Sequence, residues 1–280
     1  MSAFVDRLKQ ACLNRRSLLC VGLDPDPASM PVPDVFEFNR GIVDATAEFA
    51  CAYKPNLAFY EALGAAGMKA LEDTITHIRN TAEDAIIIGD AKRGDIGPSA
   101  RAYAKAMFEV WDFDAITANA WGGLDSIEPF LGDEARGVFV WCRGSNPGSA
   151  DFQDIETGPG DEGVPLYQRM ARACADWNER GNIGLVVGAT APEQLASVRK
   201  LCPEMPLLVP GVGAQGGDLE AAVSAGVDAN GRLALINSSR SVIYASRGGD
   251  FAMAAGRAAR ALRDSINAVQ TGEGRGWPTN

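Results

Sequence analysis

At 280 residues the chain is long enough to bury a large core as one domain, and its 46% hydrophobic content holds no apolar run approaching a membrane span. Its 26 basic and 36 acidic residues leave a formal charge of −10, which argues against nucleic acid as a partner because a phosphate backbone needs a basic face; a small anionic substrate stays open. Six scattered cysteines (Cys12, Cys20, Cys51, Cys142, Cys174 and Cys202) form no C-x-x-C pair, so they read as small core residues of a reducing cytoplasm and not as a zinc site.

Residues 1–16 mix charges and apolar side chains at helical spacing, which predicts a short amphipathic helix and no signal-peptide block. Leu18 to Leu23 form the first strand, and Asp24-Pro25-Asp26-Pro27 ends it because proline cannot continue it. A helical pattern from Phe36 to Phe49 precedes a second strand, Cys51 to Leu57, with Lys54 inside it. Residues 61–79 read as a helix. The lone histidine, His77, lies there as an ordinary helix residue, so proton transfer falls to lysine or carboxylate. Ile86, Ile87 and Ile88 make a β-branched run, the pattern of a strand buried on both faces, which stops at Asp90. A helix over 99–110, a strand at 114–118, a short helix near 124–131 and a strand at 137–142 follow. Residues 143–163 form a long irregular stretch, and an excursion of that length is usually functional or disordered. A helix at 165–180, a strand at 183–188, a helix from 191 and a strand at 207–210 come next. After the glycine-rich run 211–217, a helix at 218–225, a strand at 233–237 and a helix at 250–269 close the pattern. The tail from Thr271, with three glycines and one proline, is expected to fray.

Eight short apolar strands, each followed by a helical pattern, predict an α/β fold: a (β/α)8 TIM barrel with an N-terminal helix, one domain over residues 1–280. No G-x-G-x-x-G follows the first strand, which argues against a dinucleotide fold. Active sites of such barrels lie at the carboxyl ends of the strands, a placement that gathers Asp24, Lys54, Asp90, Lys92, Gln215, Ser238, Ser239 and Arg240. Two apart on an extended strand, Asp90 and Lys92 share a face, and Gly94 turns Asp95 in a new direction. Alternating charges at the end of a buried strand cost desolvation without helping packing, so they read as chemistry; exposed loop ion pairs, worth at most about 1 kcal/mol each, are the plainer alternative. Opposite them, the glycine-rich run and Ser238-Ser239-Arg240-Ser241 read as a phosphate site, with backbone N–H groups and an arginine able to grip two oxygens. Taken singly, Lys54 could reach solvent or act as a Schiff-base nucleophile, Asp24 could be a turn residue before proline, and Ser145 and Gln215 could be plain loop residues.

Asp90-Ala-Lys92-Arg-Gly-Asp95-Ile96 resembles the D-x-K-x-x-D-I signature of the orotidine 5′-phosphate decarboxylases. Four further phrases resemble the same family: Lys54-Pro-Asn-Leu-Ala-Phe-Tyr-Glu, Arg143-Gly-Ser-Asn-Pro-Gly, Pro210-Gly-Val-Gly-Ala-Gln-Gly-Gly and Asn237-Ser-Ser-Arg-Ser-Val-Ile-Tyr. They look most like its longer branch, which carries an insertion after strand five, and they span roughly residues 18–244. The resemblance implies cofactor-free, metal-free loss of CO2 from C6 of orotidine 5′-monophosphate, giving uridine 5′-monophosphate in de novo pyrimidine biosynthesis. Lys54, Asp90, Lys92 and Asp95 would form an alternating array in which Lys92 protonates C6. Asp24 and Lys54 would hold ribose hydroxyls, Ser145 the pyrimidine edge, and Gln215 and Arg240, with backbone around Val212 and Ser239, the phosphate. Asp95, Ile96 and Ser99 would reach across a homodimer interface into the neighbour's site. Ser99 stands where the family usually has Thr, keeping the hydroxyl and losing a methyl. Rival readings are a Mg²⁺-dependent sugar-phosphate decarboxylase sharing D-x-K-x-x-D, a Schiff-base aldolase, and a non-catalytic phosphate-binding barrel.

Overall fold

The structure is a computed structural model that describes residues 3–158, 163–213 and 217–278. Short runs of apolar residues, buried almost throughout, form the strands Leu19–Leu23 (β1), Ala52–Pro55 (β2), Ile86–Arg93 (β3), Ala115–Ala118 (β4) and Gly137–Arg143 (β5). A hairpin of Glu156–Thr157 (β6) and Val164–Pro165 (β7) is followed by Ile183–Val187 (β8), Leu207–Pro210 (β9) and Ala234–Ser238 (β10). Eight of them pair in parallel and close into a barrel in the order β1-β10-β9-β8-β5-β4-β3-β2, the (β/α)8 architecture expected from the alternating pattern; β6 and β7 form a separate antiparallel pair. Strands with helices over their outer faces are dry on both sides, which is why they read as continuous apolar runs and not as alternations.

Ala3–Arg15 (α1) covers the amino-terminal end of the barrel: Phe4, Val5 and Leu8 are buried, and the Phe4 ring meets Phe139 edge-on at 6.1 Å. Asp114, immediately before β4, sits beneath it, almost fully buried; it accepts from Arg79 Nη1 at 2.6 Å and from the Ile87 amide at 2.8 Å, and is paired with Arg7 as well. The outer layer continues with Val35–Thr46 (α2), Leu57–Glu61 (α3), Gly64–Thr81 (α4), Gly97–Lys105 (α5), Ala150–Gln153 (α6), Leu166–Asp176 (α7), Pro192–Leu201 (α8), Leu219–Gly226 (α9), Arg240–Ile243 (α10) and Phe251–Gly272 (α11).

Several elements differ from the pattern-based reading for identifiable reasons. The helix expected over 61–79 runs as α4, opening at Gly64 with φ +62°, and a separate short helix, α3, precedes it directly after the second strand. The second strand stops at Pro55 because Asn56 caps α3, its side chain accepting from the Ala58 amide. Residues 106–110 leave α5 as a π-helical turn, and the short helix near 124–131 is two 3-10 turns. Within the irregular 143–163 stretch the chain forms a 3-10 turn, α6 and the β6 strand. The tail whose glycines predict fraying carries a docked Trp277: Arg232 lies 3.7 Å over its ring, and its Nε1 donates to Asn267 Oδ1 at 2.8 Å. Among the described residues no helix is long and apolar enough to cross a membrane.

Candidate active site

The carboxyl end of β3 holds the charged centre. Asp90 is buried, and its two carboxylate oxygens are shared between two lysines: Lys54 Nζ on Oδ2 at 2.7 Å and Lys92 Nζ on Oδ1 at 2.6 Å. Lys54 is only 4% exposed, whereas the Lys92 side chain is 43% exposed. The two β3 residues do meet, but not through a regular pleat. Lys92 has φ +48°, and the β3–β4 register shifts between Gly89 and Arg93, so the strand is already unwinding when it delivers the lysine. What fixes that turn is Thr117 on β4, whose Oγ1 donates to Asp90 Oδ1 at 2.9 Å and accepts from the Lys92 amide at 2.9 Å. Asp90 therefore receives three side-chain donors.

Burial disfavours both charges of the inner pair, yet each is held ionised by its neighbours. Against desolvation, the Lys54 and Lys92 ammonium groups keep the Asp90 carboxyl well below the usual carboxylate range. Against desolvation again, the charges of Asp90 and Asp24 keep Lys54 above the usual lysine range. The stability that Asp90 contributes is present above its unfolded value of 3.8 and is lost as pH falls through the folded one. The Lys54 contribution is present below its unfolded value of 10.5 and is lost as pH rises through the folded one. Across neutral pH the inner pair is thus a fixed salt bridge.

A cavity of about 310 Å³ opens over this pair at the carboxyl ends of the strands. Of the residues singled out from sequence, Asp24, Lys54, Asp90, Lys92, Ser145, Val212, Ser239 and Arg240 line it. Asp24 is anchored through its backbone, its carbonyl accepting from the Tyr244 hydroxyl at 3.0 Å, while its Oδ1 is buried without a hydrogen bond. Ser145 is set by the first turn of the 143–163 stretch. Arg143 makes a bidentate pair with Asp154 at 2.9 Å, the Gly144 amide donates to Gln153, and the Ser145 carbonyl accepts from Thr190 at 2.8 Å. Gly188 of the β8 end makes this possible, because a Cβ there would fall 2.6 Å from the Ser145 Cα. At the opposite wall, Gly211 and Gly213 take φ +99° and +79° around Val212, next to the exposed Arg240. Gln215 lies outside the described residues. Ser238 is buried and bonded to Ser241, so it is a strut of the β10–α10 corner and not a wall of the cavity.

Asp95, Ile96 and Ser99 stand apart from this cavity within the chain. All three are exposed, Ile96 by 60%, and Asp95 Oδ1 accepts from the Ile96 amide at 2.8 Å. The cavity also has walls that sequence reading missed: Asn56, Thr117, Trp141, Asn146 and Asn237. Their position near the carboxyl end of a strand could have marked them, and Asn56, Asn146 and Asn237 also fall inside the phrases that resemble the family. Among the described residues no group of three or more His, Cys, Asp or Glu side chains is placed to hold a metal ion.

Comparison with known proteins bears on the same region. Residues 17–252 match the family model "Orotidine 5'-phosphate decarboxylase / HUMPS family". The orotidine 5′-phosphate decarboxylase of Dehalococcoides mccartyi is 50% identical over 265 residues, covering 94% of this chain and 97% of that protein. That of an Azoarcus species is 51% identical, covering 95% and 99%. Among solved structures, the OMP decarboxylase of Leishmania donovani superposes with a TM-score of 0.84 at 40% identity, over 97% of this chain and 100% of that one.

Proposed function

The chain belongs to the orotidine 5′-phosphate decarboxylase family and is an enzyme that decarboxylates orotidine 5′-monophosphate in pyrimidine biosynthesis, and we propose that it does so through an alternating Lys54-Asp90-Lys92-Asp95 array. Loss of CO2 from C6 leaves its electron pair in an orbital in the ring plane, where the ring offers little delocalisation, so a positive charge fixed beside C6 must stabilise it. Lys92 supplies that charge and then its proton, which bonds to the pair on C6 and yields the uridine nucleotide. Asp90 holds the Lys92 ammonium in place from one side, and Lys54 keeps Asp90 ionised from the other. The observation that carries this reading is the pair of lysines at 2.6 and 2.7 Å on one buried carboxylate beneath an open cavity.

The rest of the cavity is assigned to the rest of the substrate. Asp24 and Lys54 hold ribose hydroxyls, Ser145 meets the pyrimidine edge, and Arg240 and Gln215, with backbone at Val212 and Ser239, take the phosphate. Phosphate contacts far from C6 order the surrounding loops and so contribute to rate as well as affinity. Asp95, Ile96 and Ser99 complete the site of a second copy in a homodimer. What supports this is that all three are exposed and stand apart from their own cavity, and that Ile96 lies next to the turn carrying Trp121, which is 73% exposed: a Cβ on the adjoining Gly122 would lie 3.7 Å from Ile96. The chain acts as one cytoplasmic barrel domain, without metal or organic cofactor.

Mixing the purified protein with orotidine 5′-monophosphate in excess EDTA tests the reading. The orotate absorbance should bleach as uridine 5′-monophosphate accumulates. Activity that EDTA abolishes would point to the metal-dependent sugar-phosphate branch, and borohydride trapping of substrate on Lys54 would point to a Schiff-base enzyme.

A further inference from the structure

Asn237 is the cavity residue for which the barrel itself has no use. It sits on β10, 5% exposed, in the alternating row that faces the interior with Ser239, and its Oδ1 is buried without a hydrogen bond. A buried carboxamide oxygen left unmet costs folding stability, and an apolar residue of the same size would fill the place better. The neighbouring strand makes room for it. A Cβ on Gly22 of β1 would fall 1.8 Å from Ser239 Oγ and 3.3 Å from Asn237 Oδ1, so only glycine leaves the space above that strand open. Immediately past the end of β1, Asp24 Oδ1 is a second cavity oxygen buried without a hydrogen bond.

Two acceptors without donors on adjacent strands call for a ligand that brings hydroxyl groups. Their place decides which ligand part this is: Asn237 lies three residues before Arg240 and one strand from Asp24, between the phosphate end and the charged centre. In a nucleotide that span is the sugar. We propose that Asn237 is a substrate-binding residue whose carboxamide oxygen accepts a hydrogen bond from a ribose hydroxyl in the cavity it lines with Asp24, and that it contributes to selection for the ribonucleotide. The inference rests on reading the cavity as a nucleotide site.

The test titrates wild type, Asn237→Leu and Asn237→Ser with uridine 5′-monophosphate, its 2′-deoxy and 3′-deoxy counterparts and inorganic phosphate, with melting temperatures taken on the same samples. Asn237→Leu is expected to melt no lower than wild type, to bind the ribonucleotide roughly tenfold more weakly, and to bind phosphate unchanged. The deficit should vanish for one of the two deoxynucleotides. Asn237→Ser should repeat the nucleotide pattern even if its smaller side chain lowers the melting temperature. Equal losses for all three nucleotides, or undiminished binding by both folded variants, would overturn the proposal while leaving the enzyme's identity intact. Wild type that bound none of the nucleotides would instead remove the reading of the cavity itself, and the proposal with it.

Discussion

Each rim of the barrel holds a buried aspartate between two cations, and the two are built for opposite ends. At the amino-terminal rim Asp114, 1% exposed, is gripped by Arg7 and Arg79 and by the Ile87 amide. At the carboxyl rim Asp90 is gripped by Lys54, Lys92 and Thr117. Guanidinium groups are permanently charged and planar; they fix a carboxylate but do not give up a proton at neutral pH. Ammonium groups are point charges that can. The upper rim also keeps two acceptors unmet, on Asp24 and Asn237, both in the wall of the cavity. Buried carboxylates alone do not mark a site. Transferable protons beside unmet hydrogen-bonding groups do.

Substitutions should separate the rims, the upper one costing turnover and the lower one stability. The largest effect belongs to Lys92→Ala, which should lower kcat by about 10⁴-fold or more while leaving product nucleotide binding measurable by calorimetry. The same variant tests the shared site. If Asp95 serves the partner, mixing inactive Lys92→Ala and Asp95→Ala dimers should restore about a quarter of wild-type activity, since half of the dimers become hybrids with one intact site. No recovery after verified subunit exchange would return Asp95 to its own chain.

Asp114→Asn breaks the lower rim and strands two arginines. It should cost about 3–5 kcal/mol of unfolding free energy in urea titrations while kcat per folded molecule stays at the wild-type value. A fall in kcat without loss of stability would mean the lower rim reaches the chemistry.

What could be read from the chain and what could not follows from how each feature is written in it. Barrel strands announce themselves because a face-to-face buried strand must be apolar at successive positions, as in Ile86-Ile87-Ile88. Asp90 and Lys92 stand out because charges there have no packing explanation. The φ +48° at Lys92 does not, since nothing in Ala-Lys-Arg-Gly signals a left-handed residue. Thr117 and Asn237 were missed for another reason. Thr117 is a single polar residue inside an apolar strand, with partners fixed by the barrel's register and not by spacing along the chain, and Asn237 sits at the end of β10 beside two serines, where nothing in the spacing says that its carboxamide oxygen is left unmet. The α3 helix escaped because five residues, Leu57–Glu61, are too few to display a helical period.

Thr117 is where that missed category is tested most sharply, with the smallest effect. Its hydroxyl bonds the Asp90 carboxylate and the Lys92 amide at once, so it touches the proton donor and its carboxylate partner without extending to the phosphate end. Thr117→Val keeps the β-branched shape that β4 needs and removes only the hydroxyl. Losing a hydrogen bond to a charged group costs about 1.5 kcal/mol, which corresponds to roughly tenfold in rate if it is felt in the transition state. The loss should therefore appear in kcat with KM nearly unchanged, and Thr117→Ser should recover most of it. Were KM to rise tenfold at constant kcat, Thr117 would be a ground-state contact and the lysine's placement would not depend on it. The distinction matters because Lys92 leaves a broken strand, and a donor poised on irregular backbone needs a neighbour on regular backbone to hold it.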